Sequence, residues 1–471
     1  MTKHEAPTLA RRLGLTTAVM VVIGSTIGSG IFLTPQNVAH AVPVPGLMIL
    51  VWVFTGLLTL AGALTNAEVA GMLPEAGGQY VFFRVTFGKL TAFLYGWCTF
   101  IVYQTGSIAA IAVAFARYLG FYVDLPHLSP ELEAWKLPLL GNIYPLKNFG
   151  VTLVAIGAIN LVAFINYFGV HIGGWIQNVF SWLKIAAIGV IVALAFTSSH
   201  GSTANFFPLF ALPAAMPTIG ALMSAVGVAM IATLWSYDGW NSLTFLAGEV
   251  KEPQTIIPRA LFIGTVMIIV IYVLTNLAYL YMLPIEEMGT SKLVAADAME
   301  KIGKGYGAII AAMVMLSTFG TVNATTMTTA RVYYAMAKDK LFFRGLGEIH
   351  PKYRTPGTSL IIQAVWASIL TLTGTYDQIF TYVVFAGWIF YALGAGSVFI
   401  LRAKTPDAPR PYRVPGYPWV PIVFIIVATW FVVNTIVAQT ADSVVGLLLL
   451  AAGVPFYLYW NNQNMKAVAS E

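Results

Sequence analysis

The sequence predicts an all-α polytopic membrane protein of twelve transmembrane helices, and three observations predict it. Of 471 residues, 58% are hydrophobic and 9% charged, whereas a soluble domain carries about a quarter charged residues. Apolar runs of about 20 residues, long enough at 1.5 Å per residue to cross a ~30 Å hydrocarbon layer, recur along nearly the whole chain. The 25 lysines and arginines fall almost entirely in the gaps between these runs, and they fall there unevenly.

Between polar and Pro/Gly punctuation, segments one to six lie near 14–41, 44–73, 90–122, 148–169, 172–197 and 217–247. Segments seven to twelve lie near 257–283, 306–336, 358–376, 379–402, 418–438 and 442–460, leaving 1–12 and 461–471 as tails. The first run passes twenty residues without a small-residue cleavage site, so it reads as a membrane helix and not a removable signal.

With both termini cytoplasmic, eighteen of the cations lie inside, among them Arg11, Arg12, Arg84, Lys251, Arg331, Arg402, Arg410, Lys3 and Lys466. Six lie outside: Arg117, Lys136, Lys147, Lys292, Lys301 and Lys304. This is the positive-inside pattern, and a miscount of one helix would scatter it. The same rule accounts for the net charge of +6, so nothing calls for nucleic acid. A single cysteine, Cys98, lies within an apolar run, which excludes an intramolecular disulfide and a cysteine metal site. No His-Glu-x-x-His, Gly-x-Ser-x-Gly or phosphate-loop motif is present, so neither an enzyme nor a cofactor is expected. A channel would show a ring of charge or a repeated carbonyl filter, and neither appears.

Two segments are interrupted. Segment one contains Gly24-Ser25-Thr26-Ile27-Gly28-Ser29-Gly30, and segment six contains Trp235-Ser236-Tyr237-Asp238-Gly239-Trp240-Asn241-Ser242. A break frees N–H and C=O groups that hydrocarbon cannot satisfy, so it survives only inside protein or beside a polar cavity. Gly24 and Gly28 alone also suit a small-xxx-small packing surface. Packing does not call for Asp238 and Asn241 so close together. Breaks in positions one and six point to two five-helix halves of opposite orientation, 13–197 and 198–402, followed by two helices in 403–460.

Such a pair of breaks suits a zwitterion. The half-helix starting near Ser29 turns free N–H groups and a positive dipole end toward a carboxylate. Carbonyls released around Ile23 to Ser25, and around Trp235 to Tyr237, can accept from an ammonium. An α-amino acid carries both groups at the right separation.

Several motifs occur in order over essentially the full length: Gly28-Ser29-Gly30-Ile31-Phe32, Pro74-Glu75-Ala76-Gly77-Gly78-Gln79-Tyr80 and Tyr237-Asp238-Gly239-Trp240-Asn241. They continue with Gly248-Glu249-Val250-Lys251-Glu252-Pro253, Phe319-Gly320-Thr321-Val322-Asn323 leading to Arg331, and Arg410-Pro411-Tyr412-Arg413-Val414-Pro415. Together they resemble the L-type amino acid transporters of the amino acid–polyamine–organocation superfamily. The Tyr-Asp-Gly-Trp form of segment six is most similar to that of the bacterial serine/threonine exchangers. The resemblance implies the leucine-transporter fold, alternating access, the cytoplasmic (inner) membrane of a bacterium, and a central site between segments one, three, six, eight and ten. By motif position, Thr26, Ser29 and Gly30 meet the substrate carboxylate. Ile23 and Trp235 offer carbonyls to the amine, with Ser236 and Asp238 beside them. Trp235 also stands where the family places an aromatic gate, and Asn241 on a position that tethers segment six. Thr26 replaces a more usual isoleucine, and the loop before segment four lacks the cysteine by which animal members bind a glycoprotein, so no disulfide-linked heavy chain is expected.

Lys184 lies within segment five, where an ammonium costs a few kcal/mol on insertion scales unless it finds partners. The resemblance places it near the first break, where sodium-coupled relatives hold a cation, so it is expected either to replace that charge or to serve as a structural lysine bonded to carbonyls. Asp238 suits attraction of the substrate ammonium, proton transfer, or a cap on the half-helix after it, the cap being preferred. Glu68 is expected to pair with basic loop residues, and Arg331 to be topological. Gln104 and Tyr103 suit either a cavity wall or an interhelical hydrogen bond.

The reading is a secondary transporter of small neutral L-amino acids working by sodium-independent exchange. Proton symport through Lys184 or Asp238 and an amino acid sensor on the same scaffold are its competitors.

Overall fold

The computed structural model describes the backbone of residues 9–137, 144–211, 218–373 and 376–469. Lys3 and most of the N-terminal tail, the start of segment six at 217, the junction at 374–375, the side chain of Lys466 and the last two residues lie outside the described residues. Among the described residues the chain is helical, with an isolated bridge between Leu13 and Val250.

Most predicted segments end within a few residues of their expected limits. Segment two is Pro45–Met72, three is Lys89–Leu119, four is Phe149–Tyr167, five is Val170–Thr197 and seven is Pro253–Met282. Segment eight is Tyr306–Lys338, ten is Tyr376–Lys404 and eleven is Trp419–Ala438. Among the described residues ten helices are long and apolar enough to cross a membrane, and eleven if the bent pair Leu15–Thr26 and Gly30–Ala41 counts as one. The ninth predicted segment is Gly357–Thr373, apolar but only 17 residues long.

The outer surface is as apolar as a bilayer requires: Leu57, Phe164, Trp175, Trp182 and Ile426 are each about half exposed or more. Polar groups are turned inward, because lipid offers them no partner. The Asn323 amide illustrates this, accepting from Asn166 at 2.8 Å and donating to Gln177 at 3.2 Å, which ties segments four, five and eight together.

One end of the bundle is held by charges drawn from distant segments. Glu68 takes a two-pronged hydrogen bond from Arg402 at 2.8 and 2.7 Å and a backbone N–H from Val414 at 2.7 Å, as its expected pairing with basic residues requires. Arg331 is more than a topological charge. It is fully buried and pairs with the equally buried Glu249 at 2.7 Å, while the Glu249 carbonyl accepts the N–H groups of Arg12 and Leu13. Short helices absent from the sequence reading fill the connections, among them Gln79–Thr86, Ile285–Thr290 and Val294–Glu300.

Candidate functional site

The first break opens where the glycines predict it. Leu15–Thr26 and Gly30–Ala41 meet at 43°, with Ile27, Gly28 and Ser29 between them outside either helix. The N–H of Ile27 still closes the first half onto the Ile23 carbonyl at 2.8 Å, and Phe32 and Leu33 reach back to the Ser29 carbonyl. Earlier N–H groups of the second half, at Gly30 and Ile31, have no acceptor within a helix that starts there.

The released carbonyls are claimed by side chains from far along the chain. Lys184, 1% exposed, places all three ammonium donors: on the Gly24 carbonyl at 2.7 Å, the Ile27 carbonyl at 2.8 Å and the Thr321 hydroxyl at 2.6 Å. Thr321 in turn donates to the Ile27 carbonyl at 2.9 Å. The Tyr272 hydroxyl lies 3.0 Å from the Thr26 carbonyl and 2.8 Å from that of Ser236, so one group spans both breaks.

In segment six, Ile219–Ser236 ends in a turn before the short helix Ser242–Phe245. Tyr237 donates to Thr233 at 2.9 Å and Asp238 to the Trp235 carbonyl at 3.0 Å, which consumes part of the carbonyl capacity expected to be free. Gly239 adopts φ +93°, and a β-carbon there would stand 2.6 Å from the Ser25 carbonyl oxygen, so both conformation and space require glycine. The two broken helices therefore cross in direct backbone contact.

Asp238 is not the helix cap favoured from sequence. Asn241 immediately precedes the short helix, and the Asp238 carboxylate instead accepts from the Tyr103 hydroxyl at 2.9 Å and the Tyr391 hydroxyl at 2.7 Å. A carboxylate four residues before the helix and facing two phenols finds better donors than the backbone of a single turn. Tyr391 also reaches Asn241 at 3.3 Å, whose amide donates to Gln79 at 3.0 Å. Asn241 is thus tied to segment ten and to the helix after segment two.

A narrow cavity lies between the breaks. From segment one it is lined by Ser25, Thr26, Ser29 and Gly30, and from segment six by Trp235 and Asp238. Gln104, Ser107 and Ile111 of segment three form a second wall, and Thr321 and Thr325 of segment eight a third. The buried Ser25 Oγ, Thr26 Oγ1 and Gln104 Nε2 have no hydrogen-bond partner among the described residues. Buried polar atoms are rarely left so, and three around one cavity mark a place for a polar ligand.

Five predicted site residues, Thr26, Ser29, Gly30, Trp235 and Asp238, meet at this cavity. Ile23 does not: it is fully buried one turn back, with its carbonyl on Ile27. Ser236 also stands outside the lining, its hydroxyl 2.6 Å from that of Thr34. Lys184 and Asn241 stand behind the wall and brace it. Tyr272, Tyr391 and Thr321 received no role from sequence, although Thr321 lies within a quoted motif; nothing local distinguishes a tyrosine that bridges two breaks from one that packs.

Residues 13–455 match the family model described as amino acid permease. The serine/threonine exchanger SteT of Bacillus subtilis is 30% identical over 95% of this chain and 96% of its own. The mouse b(0,+)-type amino acid transporter 1 is 28% identical over 97% of this chain and 89% of its own. The human large neutral amino acids transporter small subunit 2 is 29% identical over 97% and 82%. With two broken helices around a polar cavity and a family match over nearly its full length, the chain belongs to the amino acid permease family of the amino acid–polyamine–organocation superfamily and is a membrane transporter of amino acids, not an enzyme.

Proposed function

We propose that the chain exchanges small neutral L-amino acids across the cytoplasmic (inner) membrane of a bacterium, independently of sodium and by alternating access. The observation that carries this reading is the convergence of both breaks on one cavity. The Gly30 end of a twelve-residue half-helix supplies N–H groups and a positive dipole end to a carboxylate. Asp238 and the second lone pairs of the break carbonyls supply acceptors for the ammonium. Thr26 and Ser29 add hydroxyls on the carboxylate side, and Trp235 closes the cavity as a gate.

Lys184 supports sodium independence, because a fixed ammonium already satisfies carbonyls that a metal cation would otherwise organise. The names of the relatives, a serine/threonine exchanger among them, support exchange and neutral substrates. In this reading 13–197 and 198–402 are inverted halves, both termini are cytoplasmic, and no disulfide-linked heavy chain is needed, since the one cysteine, Cys98, is buried.

Proton symport is the second reading, and it rests on Asp238, a half-buried carboxylate at the cavity with two phenol donors. Counterflow of labelled alanine in proteoliposomes, with and without a pH gradient, separates the two. Exchange predicts uptake that needs internal amino acid and ignores the gradient. Uptake that needs the gradient and ignores internal amino acid would reject it, and saturable binding without accumulation would make the chain a sensor.

A further inference from the structure

We infer that Gln104 is a specificity-determining residue that hydrogen-bonds the substrate side chain, so that the site selects small amino acids bearing a hydroxyl over apolar ones of the same shape. This rests on the proposed amino acid site and adds to it the reading of the side chain.

The substrate main chain is accounted for by the two breaks, which supply donors for its carboxylate and acceptors for its ammonium. What remains of the cavity is the walls from segments three and eight. On segment three, Gln104, Ser107 and Ile111 recur at three- and four-residue spacing and so share one helix face. A five-residue π-helical stretch, Thr99–Tyr103, ends directly before Gln104. Such widened turns re-aim the residues that follow and are frequent at functional sites.

Here the adjoining residues divide the work: Tyr103 reaches Asp238, whereas Gln104 turns its amide to the cavity. Gln104 is 2% exposed and its Nε2 has no partner. On the same walls Ser107 donates to the Tyr103 carbonyl at 3.0 Å and Thr321 accepts from Lys184 at 2.6 Å. The Gln104 Nε2 is the buried side-chain donor of these two walls left without a partner among the described residues. An apolar side chain arriving against it would leave the amide buried and unpaired, and a site built to hydrogen-bond a hydroxyl rejects the analogue without one. A short hydroxyl-bearing side chain both satisfies the amide and suits a narrow cavity.

Threonine and valine are nearly isosteric and differ by a hydroxyl for a methyl, so they isolate the effect. Purified protein is reconstituted into proteoliposomes loaded with alanine, and unlabelled threonine and valine compete against labelled alanine. Wild-type protein is expected to take threonine about tenfold or more in preference to valine. The ratio falls to near one in Gln104→Leu and equally in Gln104→Met, which keeps the length of the side chain and removes the Nε2 donor. Reading the ratio within each variant cancels any common loss of rate. A wild-type ratio near one, or an unchanged ratio in Gln104→Leu, overturns the role of Gln104 while alanine exchange leaves the amino acid site standing. Wild-type protein that exchanges no amino acid overturns that site, and this inference with it. Should Gln104→Leu fail to fold, the wild-type ratio and Gln104→Met decide alone.

Discussion

Gly30 lies so close to Ser236 that a β-carbon on it would stand 2.6 Å from the Ser236 Cα. The obstacle is backbone, so neither helix can yield by turning a side chain. Gly30→Ala is expected to force the two broken helices apart, at an overpacking cost of about 1–3 kcal/mol. Exchange then falls about tenfold or more, with the protein still recovered as a single peak by size exclusion in detergent. Wild-type exchange by Gly30→Ala would show that the breaks need not touch.

Lys184 satisfies two carbonyls of the first break and the Thr321 hydroxyl. Lys184→Ala takes the ammonium from all three and leaves the Ile27 carbonyl to the Thr321 hydroxyl, each hydrogen bond to a charged group being worth about 1.5–3 kcal/mol. Exchange is expected to fall at least about tenfold and the melting temperature to drop. Replacing sodium by choline is expected to leave wild-type exchange unchanged. Normal uptake by Lys184→Ala at normal expression would remove the lysine from the mechanism.

The Tyr391 hydroxyl donates to Asp238 at 2.7 Å and joins segment ten to the second break. Tyr391→Phe and Asp238→Asn are therefore coupled, and a double-mutant cycle on exchange rate is expected to give an interaction of about 1 kcal/mol or more. Additive losses would mean that the two side chains act independently. The same Asp238→Asn protein tests coupling: under exchange, neither it nor the wild type responds to a pH gradient.

Arg331 and Glu249 are each 1% exposed or less and pair at 2.7 Å. Removing one partner leaves a buried charge uncompensated, so Arg331→Met is expected to destabilise by about 3–5 kcal/mol. Arg331→Met combined with Glu249→Gln recovers much of that loss, because no lone charge remains. Thermal unfolding in detergent measures both, and an equal loss in the single and double variants would contradict the argument.

Much of this was legible in the chain. The interruptions at Gly24 to Gly30 and Trp235 to Ser242 stand out because small and polar residues in an apolar run have few other uses. Glu68 was readable as an ion-pair partner for the same reason. The cap preference of Asp238 is a local rule, and the phenols that override it come from residues 103 and 391. Ile23 stands outside the cavity lining, with its carbonyl accepting from a neighbour four residues on. Whether a broken helix retains such a bond depends on where the bend falls, and the glycines allow several positions.

A bundle of membrane-length helices, and the identity of the two that break, can be read along the chain, since hydrophobic length and backbone continuity are properties of contiguous residues. Tertiary structure alone decided what satisfies the broken backbone: Lys184 from segment five, Tyr272 from seven and Thr321 from eight. The physical reason is that a low-dielectric interior demands a partner for every exposed carbonyl without specifying which one. That choice belongs to whichever donors the packing brings within three ångströms or so.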